Sequence, residues 1–345
     1  MSAKFDQKTF NPEAFGKYVD LIPKTRRNEL IRSRAIRPTT TFRQTLSAQT
    51  AGNYATFPIF GRLGGEPQNY DGQTDIVASN TTTFDRSVIV IGRAKAWIER
   101  DFSEDITGGA GFMSNVARQV GDYWQDVDQD TLLQILVGIF AMAGTENEKF
   151  IERHTMDISS DTNPNVGLAT LNKAMQRAAG DNKSIFGLAI MHSEVATNLE
   201  NERLFKNLTQ TDVNGVTRDL GMATWNGRLV LIDDGMPTID LGGGATAFET
   251  YVLGDGAFDY DNVGAEVPYE MVREAKTNGG QTSLVSRQRK VFAPNGISFL
   301  KKSMVSKSPT AAELKDGENW ELVNDTNGEY IDHKSIPIAR IISRG

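Results

Sequence analysis

Apolar residues recur at three- and four-residue spacing over one long stretch of the chain. Phe112, Val116, Val120, Tyr123, Trp124 and Val127 lead into Leu132, Leu133, Ile135, Leu136, Ile139 and Phe140, and the pattern stops near Gly144. It predicts a helix over 112–143, about 48 Å long at 1.5 Å per residue, where globular helices average about 11–12 residues. No heptad is sustained, so this reads as the backbone of a flat domain and not as a coiled-coil strand. Upstream the period changes. Residues 54–63 and 81–91 read as two strands around a cluster of turn residues, Gly64-Gly65-Glu66-Pro67-Gln68-Asn69-Tyr70-Asp71-Gly72. Pro58 argues for a sheet edge or for no sheet at all in the first strand. A lone hairpin is marginal in water, so this ribbon needs another surface to lie on, and a neighbouring subunit would supply one.

Residues 164–260 read as a compact α/β unit. Asn163-Pro164 is a helix start, Leu168, Leu171, Ala174, Met175 and Ala178 form its apolar face, and Gly180 ends it. A short buried strand follows at Leu188-Ala189-Ile190-Met191. Ser193 is the expected cap of the next helix, with Val195, Ala196 and Leu199 inward. Further strands are expected at 228–232, 251–253, 267–272 and 283–292, and 297–300 closes the main body. The tail from Ser308 carries Trp320 and the apolar set Ile336, Ile338, Ile341 and Ile342. At 345 residues the chain exceeds what one hydrophobic core fills, so more than one lobe is expected.

Charge divides the chain. Residues 1–50 hold 10 Lys and Arg against 4 Asp and Glu, which leaves 27 against 40 in residues 51–345. A basic arm is thus joined to an acidic body, which suggests contact with nucleic acid or with an acidic surface such as another copy of the body. Lys24, Arg26, Arg27, Arg32, Arg34, Arg37 and Arg43 crowd that arm. A short helix over 26–35 is expected there, stopped by Pro38 and Thr39-Thr40-Thr41, with little core of its own. The absence of Cys excludes disulfides, thiolate nucleophiles and Cys-ligated metals. The first ten residues are polar, unlike a secretory signal, and the longest apolar run is too short for a bilayer span of about 20 residues. The protein therefore reads as soluble and intracellular when made.

Candidate chemistry is thin. Asp126, Asp128 and Asp130 open like a calcium loop, but Thr131 and Val137 stand where Gly and Glu are needed, so a solvated helical face is expected. His154, His192 and His333 are the only histidines, and none pair at metal-ligand spacing. His192-Ser193 lies at a strand end with no G-x-S-x-G around it. Gly242-Gly243-Gly244 lacks dinucleotide-binding spacing, and Gly254-Asp255-Gly256 and Asp233-Asp234 suit turns. No catalytic residue, cofactor or metal is expected, and nothing here requires an enzyme.

The order of parts and several stretches resemble one family. Ile91-Gly92-Arg93-Ala94-Lys95-Ala96-Trp97 through Asp101-Phe102, Gln119-Val120-Gly121-Asp122-Tyr123-Trp124 and Leu136-Val137-Gly138-Ile139-Phe140 are similar to the entry and spine helix of the P-domain in major capsid proteins of tailed bacteriophages. Met191-His192-Ser193-Glu194-Val195, Asp233-Asp234-Gly235-Met236-Pro237 and Tyr251-Val252-Leu253-Gly254 are similar to their A-domain. The resemblance covers roughly residues 50–300 and implies the α+β Hong Kong 97-type fold. It assigns 1–53 to a basic N-terminal arm, 54–96 to an extended E-loop hairpin and 97–163 to the P-domain. The A-domain is 164–260, returning P-domain strands are 261–300, and a C-terminal segment is 301–345.

The implied function is that of a major head protein, a virion component that self-assembles through hexamers and pentamers into an icosahedral or prolate shell around double-stranded DNA, inside the host bacterium. Arg26, Arg27, Arg32, Arg34, Arg37, Gly64, Gly65, Tyr70 and Asp71 are the candidate inter-subunit contacts. The short arm leaves no room for a fused scaffold, which implies a separate scaffolding protein or none. A portal protein, a decoration protein, DNA contacted non-specifically and no membrane complete the expected partners. Some family members join a loop lysine to a neighbour's asparagine, but no lysine lies between Lys24 and Lys95, so a non-covalent shell is expected. An encapsulin-type bacterial nanocompartment and, more remotely, a soluble α/β hydrolase are the alternatives.

Overall fold

One helix lies along two sheets and joins their cores. The computed structural model describes residues 33–46, 52–61, 67–70, 72–73, 75, 83–100, 112–211, 217–325 and 328–345. In chain order the strands begin with β1 (Ile36–Pro38), β2 (Tyr54–Phe60), β3 (Thr83–Ile89), β4 (Ile91–Arg100), β5 (Thr155–Asp157) and β6 (Phe186–Met191). Next come β7 (Phe205–Thr211), β8 (Thr217–Trp225), β9 (Arg228–Ile232), β10 (Thr238–Asp240), β11 (Thr246–Gly254) and β12 (Phe258–Asn262). The last are β13 (Tyr269–Glu274), β14 (Gln281–Pro294), β15 (Ile297–Phe299), β16 (Trp320–Leu322) and β17 (Ile338–Ser343). The α-helices are α1 (Thr41–Leu46), α2 (Phe112–Ile139), α3 (Thr145–His154), α4 (Thr170–Ala179), α5 (Ser193–Asn201) and α6 (Ala311–Lys315).

β14 organises the first sheet, pairing with β4 over Gln281–Lys290 on one side and with β13 and β12 on the other. β1 adds in parallel to the outer side of β12. The second sheet runs β5-β17-β11-β6-β9-β8-β7, with β10 also on β11. The long helix α2 ends at Ile139, four residues short of the sequence expectation, where Phe140 and Ala141 turn the chain toward Gly144 (φ 110°). Its Val120 and Trp124 pack on Tyr269 and Leu284 of the first sheet. Trp124 Nε1 donates to Ser286 Oγ at 2.9 Å. Further along, Leu132, Ile135, Leu136 and Ile139 share a core with Leu188, Ile190, Tyr251 and Leu253 of the second sheet.

Several expectations are corrected. The arm is not coreless. Arg34 takes φ 60°, which ends any helix before Ala35, and Ala35, Ile36, Phe42 and Leu46 are buried through β1 and α1. Residues 26–32 lie outside the described residues. The helix expected from Pro164 begins at Thr170, whose Oγ1 accepts from Gly167 N at 3.0 Å, and Leu168 is exposed, not on an apolar face. His192, not Ser193, caps α5, its Nδ1 accepting from Glu194 N at 3.1 Å. Asp128 is not solvated: it accepts from Lys290 Nζ at 2.6 and 2.7 Å, tying α2 to β14. The body does not close near Leu300 either. β17 inserts between β11 and β5, with Ile336, Ile338 and Ile341 fully buried. Trp320 packs against α2 at Gly138, where any Cβ would lie 2.1 Å from Leu314 O. The hairpin β7–β8 has no counterpart in the sequence reading, because its polar strands show no apolar alternation.

Candidate assembly site

β2 and β3 form a two-stranded ribbon in antiparallel register from Tyr54↔Ile89 to Phe60↔Thr83. Alternation gives it two unlike faces. On one, Phe84, Arg86 and Val88 are buried, with Ala55 and Phe57 against them. α1 roofs this face, its Phe42 ring meeting Phe57 edge-on at 5.0 Å and its Leu46 joining Val263, Val291 and Ala293 beneath. On the other face Thr56, Pro58 and Phe60 are exposed, opposite Ser87, Asp85 and Thr83. Phe60 is 80% exposed. The chain therefore covers one side of the ribbon root itself, which the sequence reading did not anticipate, and leaves the other bare.

An ionic clamp fixes the root. β12 reads Phe-Asp-Tyr-Asp-Asn, so a period of two sends Phe258 and Tyr260 to one side and Asp259 and Asp261 to the other. Arg37 of β1 reaches Asp259 Oδ1 through Nε at 2.9 Å and NH2 at 2.8 Å, and Arg86 of β3 reaches Oδ2 at 2.8 Å. Arg86 is buried, its guanidinium 5.6 Å from the Phe42 ring centroid. Its Nε has no hydrogen-bond partner among the described residues. The Asp259 contact therefore compensates a charge that burial alone would make costly. Arg43 donates its backbone N–H to Asp261 Oδ2 at 2.7 Å and its Nε to Asn262 O at 2.9 Å. Arm, ribbon and first sheet thus meet on two neighbouring carboxylates.

Of the candidate contacts, Arg26, Arg27, Arg32, Gly64, Gly65 and Asp71 lie outside the described residues. Arg34 sits 3.6 Å from Asp255, both exposed, and Arg37 is held by Asp259. The structure thus brings Arg34 and Arg37 to acids of their own chain. Tyr70 stands apart from them, 88% exposed. Sequence reasoning missed Asp259 and Asp261, and the alternation in β12 was the available signal.

The remaining candidate chemistry has local uses. His192 spends Nδ1 on the helix cap, and its Nε2 is 3.9 Å from Asp234 Oδ1. Hydrogen bonding from Ser193 holds the Asp234 carboxyl below its ordinary value, so Ser193 serves the carboxylate and not the imidazole. Asp233 Oδ1 accepts from Gly235 N at 2.9 Å in a turn, and its Oδ2 accepts from Gln129 Nε2 of α2. Gly242, Gly243 and Gly244 all take positive φ in a tight turn, which glycine tolerates. Among the described residues no group of three or more His, Cys, Asp or Glu could hold a metal ion, and no helix is long and apolar enough to cross a membrane.

No family model matches the chain. It is 27% identical over 280 residues to the major capsid protein of Bacillus phage SPP1, spanning 81% of this chain and 82% of that one. Among solved structures it is similar to the capsid of Ralstonia phage GP4, with TM-score 0.56 and 12% identity over 90% of this chain and 87% of that one. The cyanophage Pam1 capsid gives TM-score 0.53 and 12% identity over 100% and 97%. The acid-stable capsid of Helicobacter pylori bacteriophage KHP30 gives 0.52 and 10% over 90% and 87%. At these identities the structures establish the fold, a mixed α+β one. The chain is similar in sequence to a phage major capsid protein and has the Hong Kong 97-type fold of phage capsids.

Proposed function

We propose that this chain is a major capsid subunit whose copies close into a phage head shell around double-stranded DNA. The carrying observation is the ribbon: one face is finished by the chain's own arm, while the other, with Phe60 at its end, is left bare. A surface built this way is completed by association, so that stability and assembly become one property. The match along most of the SPP1 capsid protein supports the same reading. In its terms the ribbon is the E-loop, the β14 sheet with α2 is the P-domain, and the β11 sheet is the A-domain.

Hexamers and pentamers of the chain are the building units, formed in the host cytoplasm with a separate scaffolding protein and a portal. A decoration protein is a further partner, and DNA is met through phosphates without base readout. Negative-stain microscopy of the expressed chain, alone and with its scaffold, tests this. Capsomers, tubes or shells are expected, and a strictly monomeric species at high concentration with scaffold supplied overturns it. Mature particles boiled in detergent should run as one band near 37.9 kDa, since the loop carries no lysine for a covalent link.

A further inference from the structure

A second basic feature lies outside the arm. The loop between β15 and α6 carries Lys301, Lys302 and Lys307, and at its apex Val305 is 95% exposed. The backbone that presents this bare side chain is held. Glu313 Oε1 accepts from Val305 N at 2.8 Å and Ser306 N at 3.0 Å. Its Oε2 accepts from Thr310 N at 2.8 Å, from Thr310 Oγ1 at 3.0 Å and from Ser306 Oγ. These hydrogen bonds, that from Ser306 Oγ first, hold the Glu313 carboxyl far below the usual carboxylate range. One carboxylate thus fixes the loop in a single presentation.

The loop is anchored at the ribbon root. Asn53, just before β2, donates Nδ2 to Lys307 O at 3.4 Å and accepts from Arg289 NH2 at 2.9 Å. Lys301 Nζ lies 4.1 Å from the ring centroid of Tyr54, the first residue of β2. Gly264 N donates to Arg289 O at 3.2 Å, two residues beyond the Asn262 carbonyl that Arg43 holds. Arg43, Arg289, Lys301 and Lys307 therefore form a belt around the base of the ribbon. Among the described residues Arg289, Lys301 and Lys307 have no acidic partner, although residues 51–345 carry 40 acidic groups against 27 basic ones.

We infer that this belt, with Val305 at its centre, is a docking surface for the acidic body of a second copy of the chain. Three observations select that occupant. The chain's excess charge outside the arm is negative, so another copy is the complement nearest to hand. A phosphate backbone would neutralise the lysines but offers nothing to a fixed valine, whereas a protein surface can bury it. Lys301 lies over Tyr54, which shares its side of β2 with Thr56, Pro58 and Phe60, so the belt adjoins the bare face of the ribbon there and one neighbour can cover both. The inference rests on the shell reading and specifies which surface drives it.

The test uses the full chain carrying Lys301→Glu, Lys307→Glu and Val305→Ser together. All three side chains are exposed and only Lys301 gives up a contact, its place over Tyr54, so the monomer should melt within a few degrees of the parent. Lys173→Glu with Lys183→Glu on the second lobe makes the same change in net charge and serves as control. Shell yield should fall at least tenfold in the triple variant and stay near the parent's in the control. Parent assembly should also weaken as salt shortens the screening length from about 10 Å at 0.1 M. Parent-like yield and salt response in the triple variant overturn the inference. So do normal shells that fail only to retain DNA, which would make the belt a phosphate contact. A parent chain that never assembles sinks the shell reading itself, a distinguishable result.

Discussion

In the β11 sheet, Tyr251, Val252, Leu253, Ile338 and Ile341 have no exposed surface, and β11 and β17 each have strand partners on both sides. At the ribbon root the same polypeptide relies on Arg37, Arg43 and Arg86 around Asp259 and Asp261, with a small apolar patch beside them. The lobe is finished by non-directional apolar burial, which tolerates no missing piece but needs no partner. The root is finished by directed charge pairs that set an angle between arm, ribbon and sheet. That division suits a subunit with one rigid body and one projecting element whose direction matters. It also sorts substitutions by size of effect.

Removing residues 336–345 should act most strongly. It withdraws β17 from between β11 and β5 and opens two rows of buried backbone groups, each costing about 1–3 kcal/mol when left unpaired. Loss of any cooperative melting transition is the expected outcome in calorimetry. A truncated chain that melts like the parent would make this strand an accessory and erase the contrast.

At the root the two arginines on Asp259 should behave differently. Asp259→Ala strands the buried Arg86 charge, and breaking one side of a buried pair costs about 3–5 kcal/mol. Arg37 contacts the same carboxylate with a side chain 61% exposed, so Arg37→Ala should cost only about 0–1 kcal/mol. Urea denaturation of the three chains checks the order. Equal losses from Asp259→Ala and Arg37→Ala would show that burial does not set the strength of this clamp.

The two regions were also unequally legible. α2 follows from apolar period, the ribbon from strand formers on either side of a turn cluster, and β9 has the boundaries its sequence predicts. The tail's four isoleucines mark an apolar segment but neither a strand nor its place, because β17 pairs with segments some 90 and 185 residues away in sequence. The clamp was the least legible. Arg37 and Asp259 are 222 residues apart, and a basic arm gives no sign of which acids it meets. Ala35, Ile36, Phe42 and Leu46 are too few and too scattered to set a period, so the arm looked coreless.

Acid should loosen the lobe. His154 of α3 is buried, its Nδ1 2.6 Å from Ile338 O and its Nε2 3.2 Å from His333 Nδ1. Burial lowers its pKa to about 4, with the nearby His333 and Arg153 acting in the same direction and the Ile338 carbonyl against it. Asp332 and Lys334 flank His333, whose own pKa burial also lowers. The unfolded chain takes up this proton near pH 6.5 and the folded chain only near 4. The stabilisation is therefore complete above about 6.5 and drains away as pH falls toward 4, on the order of 3 kcal/mol in all. Melting temperature measured from pH 7 to pH 4.5 should fall, and a His154→Gln chain should show a flatter profile. An unchanged profile would mean the imidazole pair titrates without cost.

The smallest effect on the monomer is the sharpest test of the ribbon's two faces. Phe57 and Phe60 lie in the same strand, three residues apart, so they point to opposite sides. Phe57 meets Phe42 edge-on at 5.0 Å, and its ring is worth about 0.5–1.5 kcal/mol there beyond the area it covers. Phe60 is 80% exposed and touches little of its own chain. Phe57→Ser should therefore lower monomer stability by about 1–3 kcal/mol, while Phe60→Ser stays within about 0.5 kcal/mol of the parent. Assembly should reverse the ranking per unit of stability lost. Phe60→Ser leaves the subunit intact but removes an apolar ring from the face that a neighbour must cover, so its shell yield should drop without any change in melting. Titrating capsomer formation against chain concentration for both variants separates the two effects. If Phe60→Ser assembles as the parent does, the bare face is not where the next subunit sits, and the ribbon must be completed elsewhere along its length.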